Sequence, residues 1–142
     1  MFSIGTLAKR TGTKVQTIRY YEQIGLMPEP GRTDGGQRRY GDVELDRLSF
    51  IRHSRQLGFS LGAIRELLDL SDSPERSCAQ VDAVAQKQLR EVEARIARLE
   101  ALRVELRRMI SECNADRVAD CHILEVLRDH EECLSHHQQP AP

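Results

Sequence analysis

Between residues 79 and 112 apolar side chains recur in steps of three and four, at Leu89, Val92, Ile96, Leu99, Leu102, Leu106 and Met109. A stripe this narrow predicts one helix packed on another in coiled-coil fashion. As a single helix the stretch is about 50 Å long at roughly 1.5 Å per residue. Cys78 stands just before it, while Cys113 and Cys121 bracket a short loop just after it. Within one chain Cys78 therefore cannot meet the other two. A second copy running antiparallel brings Cys78 of one subunit beside Cys113 and Cys121 of the other, giving two three-thiolate sites per dimer. Only 29 residues follow Cys113, with too few apolar groups to cover a seven-position stripe, so a homodimer is expected rather than a helix folded back on its own domain.

The chain has 142 residues, room for one compact head besides such a helix. A 39% hydrophobic and 30% charged composition without Trp describes a soluble protein whose apolar surface needs a partner. Charge is unevenly placed: residues 1 to 40 carry a net +4 and residues 71 to 142 a net −4. A basic head on an acidic body suits polyanion binding at one end. No apolar run of about 18 residues offers a membrane span. The start, Met1 to Gly5, lacks a basic region followed by an apolar run, so a cytoplasmic location is expected. In that reducing compartment the four cysteines are expected as thiols or metal ligands rather than structural disulfides.

Ser3 is placed to cap a first helix with Ile4, Leu7 and Ala8 on one face, and Thr11-Gly12-Thr13 breaks it. A second helix turns Val15, Ile18 and Tyr21 inward, which makes the pair a helix-turn-helix. Gly25, Pro28, Pro30 and Gly31 end that helix, and Arg32 to Tyr40, around Asp34-Gly35-Gly36, reads as a basic hairpin wing. Asp42 is expected to cap a third helix to about His53, with Val43, Leu45, Leu48, Phe50 and Ile51 apolar and His53 as a packing residue. Ser60 caps a fourth carrying Ile64, Leu67 and Leu68, and Ser71-Asp72-Ser73-Pro74 marks the clearest boundary. Asn114 to Asp120 is expected as a loop, and His122 to Leu127 as a short helical turn.

The second helix is expected to enter the major groove with Lys14, Gln16, Thr17, Arg19 and Tyr20, while Arg32, Arg38, Arg39 and Tyr40 of the wing reach flanking DNA. The competing reading is an ordinary solvated charged face. Thiolate sulfur selects soft or borderline ions and excludes magnesium and calcium, which makes Cys78, Cys113 and Cys121 the candidate ligands. Any one cysteine is more often a buried small apolar group; three flanking the ends of an antiparallel helix pair are not explained that way. His122 offers a fourth tetrahedral ligand. His130, Cys133, His136 and His137 offer an auxiliary site, against a plain polar terminus. No constellation for catalysis competes, so the chain is read as a non-enzyme.

Several segments together resemble the mercury-resistance-regulator (MerR) family of bacterial transcription regulators. They are Ile4-Gly5-Thr6-Leu7-Ala8, Thr17-Ile18-Arg19-Tyr20-Tyr21-Glu22, Gly25-Leu26-Met27-Pro28, Arg32 to Tyr40, Ile51-Arg52 and Leu57-Gly58-Phe59-Ser60-Leu61. The resemblance runs over about residues 2 to 127. It implies a dimeric winged-helix activator on a palindromic operator with an over-long promoter spacer. Effector binding then bends and untwists the DNA to bring the promoter elements into register for RNA polymerase. Cys78 looks like the family's divalent-ion sensors, whose monovalent-ion relatives carry serine there, and Cys113 and Cys121 match that subgroup's loop ligands. Cys113-Asn114-Ala115 with Cys121-His122-Ile123-Leu124 looks most like cadmium, lead and zinc sensors, with mercury also within reach. Asn114 stands where zinc sensors of this type carry a further cysteine, which favours a single ion per site.

The expectation is thus a mainly α protein. A winged helix-turn-helix DNA-binding domain occupies residues 1–70, a hinge 71–78, an antiparallel coiled-coil dimerisation helix 79–112, a metal-binding loop and short helix 113–128, and a His/Cys tail 129–142. Its expected work is metal-responsive transcriptional activation. The alternative is a thiol redox sensor on the same scaffold, with Cys113 and Cys121 forming a disulfide. A sensor of organic molecules needs a large pocket that the chain ends too early to build.

Overall fold

A computed structural model describes residues 1–32, 34–36, 38–113 and 116–129. The order is α1 (Ile4–Thr11), α2 (Val15–Gln23), β1 (Gly31–Arg32), β2 (Arg38–Arg39), α3 (Asp42–Gln56), α4 (Leu61–Ser71), α5 (Ala79–Ser111), a single 3-10 turn (Val118–Asp120) and α6 (His122–Arg128). The fold is mainly helical, as the spacing predicts. Two compact units divide between Ala85 and Gln86.

In the first unit the local signals act as expected. Ser3 sits in extended backbone and its Oγ accepts from the Thr6 N–H at 3.2 Å. Gly12 closes α1 in the left-handed region at φ 64°, where an added Cβ would also strike the Arg52 guanidinium. The two wing strands pair antiparallel, Gly31 with Arg39 and Arg32 with Arg38. Phe2 and Tyr40 exchange backbone hydrogen bonds of 2.8 and 2.9 Å, tying the chain's start to the wing. Ser60 Oγ accepts from the Ala63 N–H at 3.1 Å and opens α4.

Helix α3 departs from expectation in its details. Gly41, not Asp42, is the N-cap, because the Glu44 carboxylate reaches back to accept from the Gly41 N–H at 2.8 Å. The helix continues past His53 to Gln56, and its buried face is Leu48, Ile51 and Ser54. Val43 and Phe50 fall off that face and are 72% and 36% exposed, and His53 is exposed rather than packed.

The core of this unit is Leu7, Ile18, Tyr21, Leu26, Met27, Tyr40, Leu48, Ile51, Ile64 and Leu68. Leu48→Ala is expected to cost about 3 kcal/mol, transfer and cavity costs together. Urea unfolding of the variant measures it, and a cost under about 1 kcal/mol would contradict the central position of Leu48. Three arginines from α3 and α4 close over the ends of the helix-turn-helix. Arg52 donates to the Thr11 carbonyl, Arg47 to Leu26 O at 2.9 Å, and Arg65 to Ile24 O at 2.6 Å. Carbonyls at helix ends lack intrahelical donors, and a charged donor satisfies them well.

This unit runs on past the Ser71 to Pro74 boundary to Ala85. Val84 is buried, and Gln80 and Ala83 share a cleft with Glu66, Asp69 and Leu70, so the first turns of α5 pack with the head. Helix α5 spans 33 residues and holds no glycine or proline, in keeping with its strong helix formers. In the second unit Leu89, Val92, Ile96, Leu99 and Leu106 of the stripe are exposed, whereas Met109 and, from α6, Val126 are buried. Among the described residues no helix is long and apolar enough to cross a membrane.

Candidate metal centre and nucleic-acid interface

In the first unit, α2 follows α1 after Gly12 and presents Lys14, Gln16, Arg19 and Tyr20 to solvent, with Thr17 half-buried. Ile18 and Tyr21 hold the opposite side of the helix in the core. The wing presents Arg32, whose guanidinium donates to Gly36 O at 2.9 Å across the turn, and Arg39, half-buried. The side chain of Arg38 lies outside the described residues. Tyr40, expected at the DNA, is instead fully buried, and its hydroxyl donates to Glu22 Oε2 at 2.7 Å. Its place is to fix the wing to α2. Sequence reasoning missed Arg52 and Arg55, which line one open cleft with Lys14 and Thr17. About 40 residues separate them in the chain, and no local periodicity links residues that far apart.

In the second unit, Cys113 follows the last turn of α5, its N–H donating to Ile110 O at 3.2 Å. Cys121 is the N-cap of α6, and its N–H donates to Val118 O at 3.2 Å. The 3-10 turn between them folds the chain back so that the two sulfurs lie 3.7 Å apart, both half-buried. Two thiolates about 2.3 Å from one zinc ion at the tetrahedral angle are themselves about 3.8 Å apart, so the pair fits a chelated ion. Cys78 is exposed and belongs to the first unit.

The Leu124 N–H donates to the Cys121 sulfur and holds its thiol below the ordinary range. The Cys113 side chain and the Ile123 N–H add to this, against a desolvation that raises it. A thiol depressed in the folded state contributes stability above its unfolded pKa, and that contribution is lost as pH falls through the folded value. The same depression reduces proton competition with a metal. Alkylation of Cys121 by iodoacetamide, followed by peptide mass against pH, is expected to show a midpoint below that of the same thiol in the urea-unfolded protein. A midpoint at or above that value would contradict the hydrogen-bond geometry.

His122 does not join the sulfurs. Its Nε2 lies 2.8 Å from Glu112 Oε2 and its Nδ1 3.9 Å from Glu125 Oε2. Among the described residues no group of three or more His, Cys, Asp or Glu side chains is arranged to hold a metal ion. Asn114, His130, Cys133, His136 and His137 lie outside the described residues.

Residues 2–71 match the family described as MerR HTH family regulatory protein, and residues 45–109 the family described as MerR, DNA binding. The transcriptional regulator ZntR of Escherichia coli K12 is 46% identical over 130 residues, covering 89% of this chain and 92% of that protein. Among solved structures, PbrR691 of Ralstonia metallidurans CH34 with lead(II) superposes at a TM-score of 0.79 and 41% identity, over 89% of this chain and 99% of that one. The regulator MerR of Bacillus megaterium MB1 with mercury(II) gives 0.70 and 30%, over 89% and 99%. These relatives are regulators of transcription, not enzymes. On its helix-turn-helix head, its long α5 and these matches, the chain belongs to the MerR family of helix-turn-helix transcriptional regulators.

Proposed function

We propose that this protein is a metal-responsive transcriptional regulator that binds a palindromic promoter operator as a homodimer and responds to a divalent soft metal, cadmium, lead or zinc. The observation that carries the reading is the pair of sulfurs 3.7 Å apart at the foot of α5. Cys113 and Cys121 supply two soft donors, and Cys78 of the partner subunit supplies a third. Three thiolates match a doubly charged ion better than two, and sulfur favours borderline and soft metals. The exposed stripe of α5 supports the dimer, since it gives the apolar face a partner of the same sequence. Capture of the ion by two subunits would lock the loop onto the helix end, because the metal's binding energy orders what it bridges. Repositioned heads then distort the operator they hold, and RNA polymerase engages the realigned promoter. The site of this work is the cytoplasm, with the DNA.

The same sulfur pair, with the depressed Cys121 thiol, favours a second reading as a redox sensor that closes a disulfide. Native mass spectrometry of the reduced protein, titrated with zinc, cadmium and lead, separates the two. Uptake of two ions per dimer, with loss of both in Cys78→Ser, is the expected result. A dimer that takes up no ion would overturn the metal reading and leave the redox one, whereas uptake unchanged in Cys78→Ser would remove Cys78 from the site.

A further inference from the structure

The two cysteines are flanked by a pair of side chains that meet each other. Glu112 immediately precedes Cys113, His122 immediately follows Cys121, and their side chains lie 2.8 Å apart, nitrogen to carboxylate oxygen. The imidazole nitrogen faces the carboxylate oxygen at contact distance, without the alignment of a hydrogen bond. Glu112 is also held by Arg108 at 2.9 Å, one turn back along α5, and Arg108 pairs in turn with Glu105, which is 4% exposed. A chain of polar contacts therefore runs from a buried position on α5 through Arg108 and Glu112 to His122. It crosses the thiol loop at the residues next to both sulfurs.

We infer that His122 and Glu112 are positioning residues, a brace that holds Cys113 and Cys121 at chelating separation on the end of α5, and that His122 is not itself a ligand. This rests on the metal reading above. The physical ground is the cost of closing a loop: a clasp on the residues beside each sulfur removes freedom that the incoming ion would otherwise have to remove itself. Side chains that hold metal ligands in place typically change affinity by about 10- to 100-fold when removed. Helix α6 alone does not fix the pair, since it is a helix of seven residues that holds Cys121 only as its N-cap.

The test is cadmium titration of the reduced full-length dimer, competed with a chelator and followed by the cadmium–thiolate absorption band. Five proteins are compared: wild type, Cys113→Ser, Glu112→Gln, His122→Ala and His122→Gln. A glutamine at 122 can place its amide N–H against the Glu112 carboxylate but is a poor soft-metal ligand. The expected result is roughly tenfold weaker cadmium binding in His122→Ala and Glu112→Gln, with affinity largely recovered in His122→Gln. The absorption per bound ion stays at the wild-type value in the Glu112 and His122 variants. Equal loss in both His122 variants with a changed absorption band would make His122 a ligand and overturn the brace. Wild-type affinity in both Glu112→Gln and His122→Ala, alongside loss in Cys113→Ser, would overturn it while leaving the metal site intact. Cadmium binding unaffected by Cys113→Ser would instead remove the metal reading on which it stands.

Discussion

Aspartate in place of Ile96 or Leu99 is expected to turn the dimer into monomers at micromolar concentration. Both positions lie in the apolar stripe of α5 and both are exposed in the single chain. Burying a carboxylate there forfeits the apolar burial and adds the cost of an unpaired charge, about 3 kcal/mol per position as an order of magnitude. In a two-fold assembly each substitution occurs twice. The combined loss of about 6 kcal/mol corresponds to roughly 10⁴ in the dissociation constant. Sedimentation velocity measures it directly. Unchanged dimerisation would take the stripe out of the interface and require another explanation for seven apolar positions in register.

Cys113→Ser is expected to keep operator binding within about twofold while metal induction falls by about 100-fold or more. The substitution leaves the head untouched, because Cys113 belongs to the other compact unit. It replaces a soft anionic donor by a neutral hydroxyl that does not favour thiophilic ions. Operator affinity is read by fluorescence anisotropy at fixed salt, since phosphate contacts make any such number depend on salt. Induction is read from a promoter reporter with graded cadmium, lead or zinc. A wild-type dose response would remove Cys113 from the sensing mechanism.

Caps and apolar periodicity made most of the helices readable in advance. Ser3 and Ser60 sit where their side chains can accept the first free N–H groups, and Leu89 to Met109 repeats at the spacing of a helix seam. The hidden features depend on residues distant in sequence. Tyr40 looked like an exposed aromatic in a basic wing, yet its partner Glu22 lies 18 residues earlier and draws it into the core. Val43 and Phe50 are apolar by type but lie off the face that α3 turns inward, and the pattern of a short helix does not say which face wins. Cys113 and Cys121 bracket a short loop in the sequence, and that spacing anticipates the meeting of their sulfurs. The pairing of Glu112 with His122 has no such signal, since no rule of periodicity joins two residues across a loop.

The three arginines that close over the helix-turn-helix give the head a mechanical property. Arg47, Arg52 and Arg65 each leave α3 or α4 to grip a carbonyl at or just beyond the end of α1 or α2. Helix α2 is thereby bolted at its base to the layer behind it, in addition to being packed through Ile18 and Tyr21. Tilting it alone would break charged hydrogen bonds worth about 1.5–3 kcal/mol each as well as open the core. The head is therefore stiff along α2. In the mechanism proposed above, a signal that reaches the head would turn it as one piece, like a key in a lock, and the softer body, the double helix, would be the one that yields.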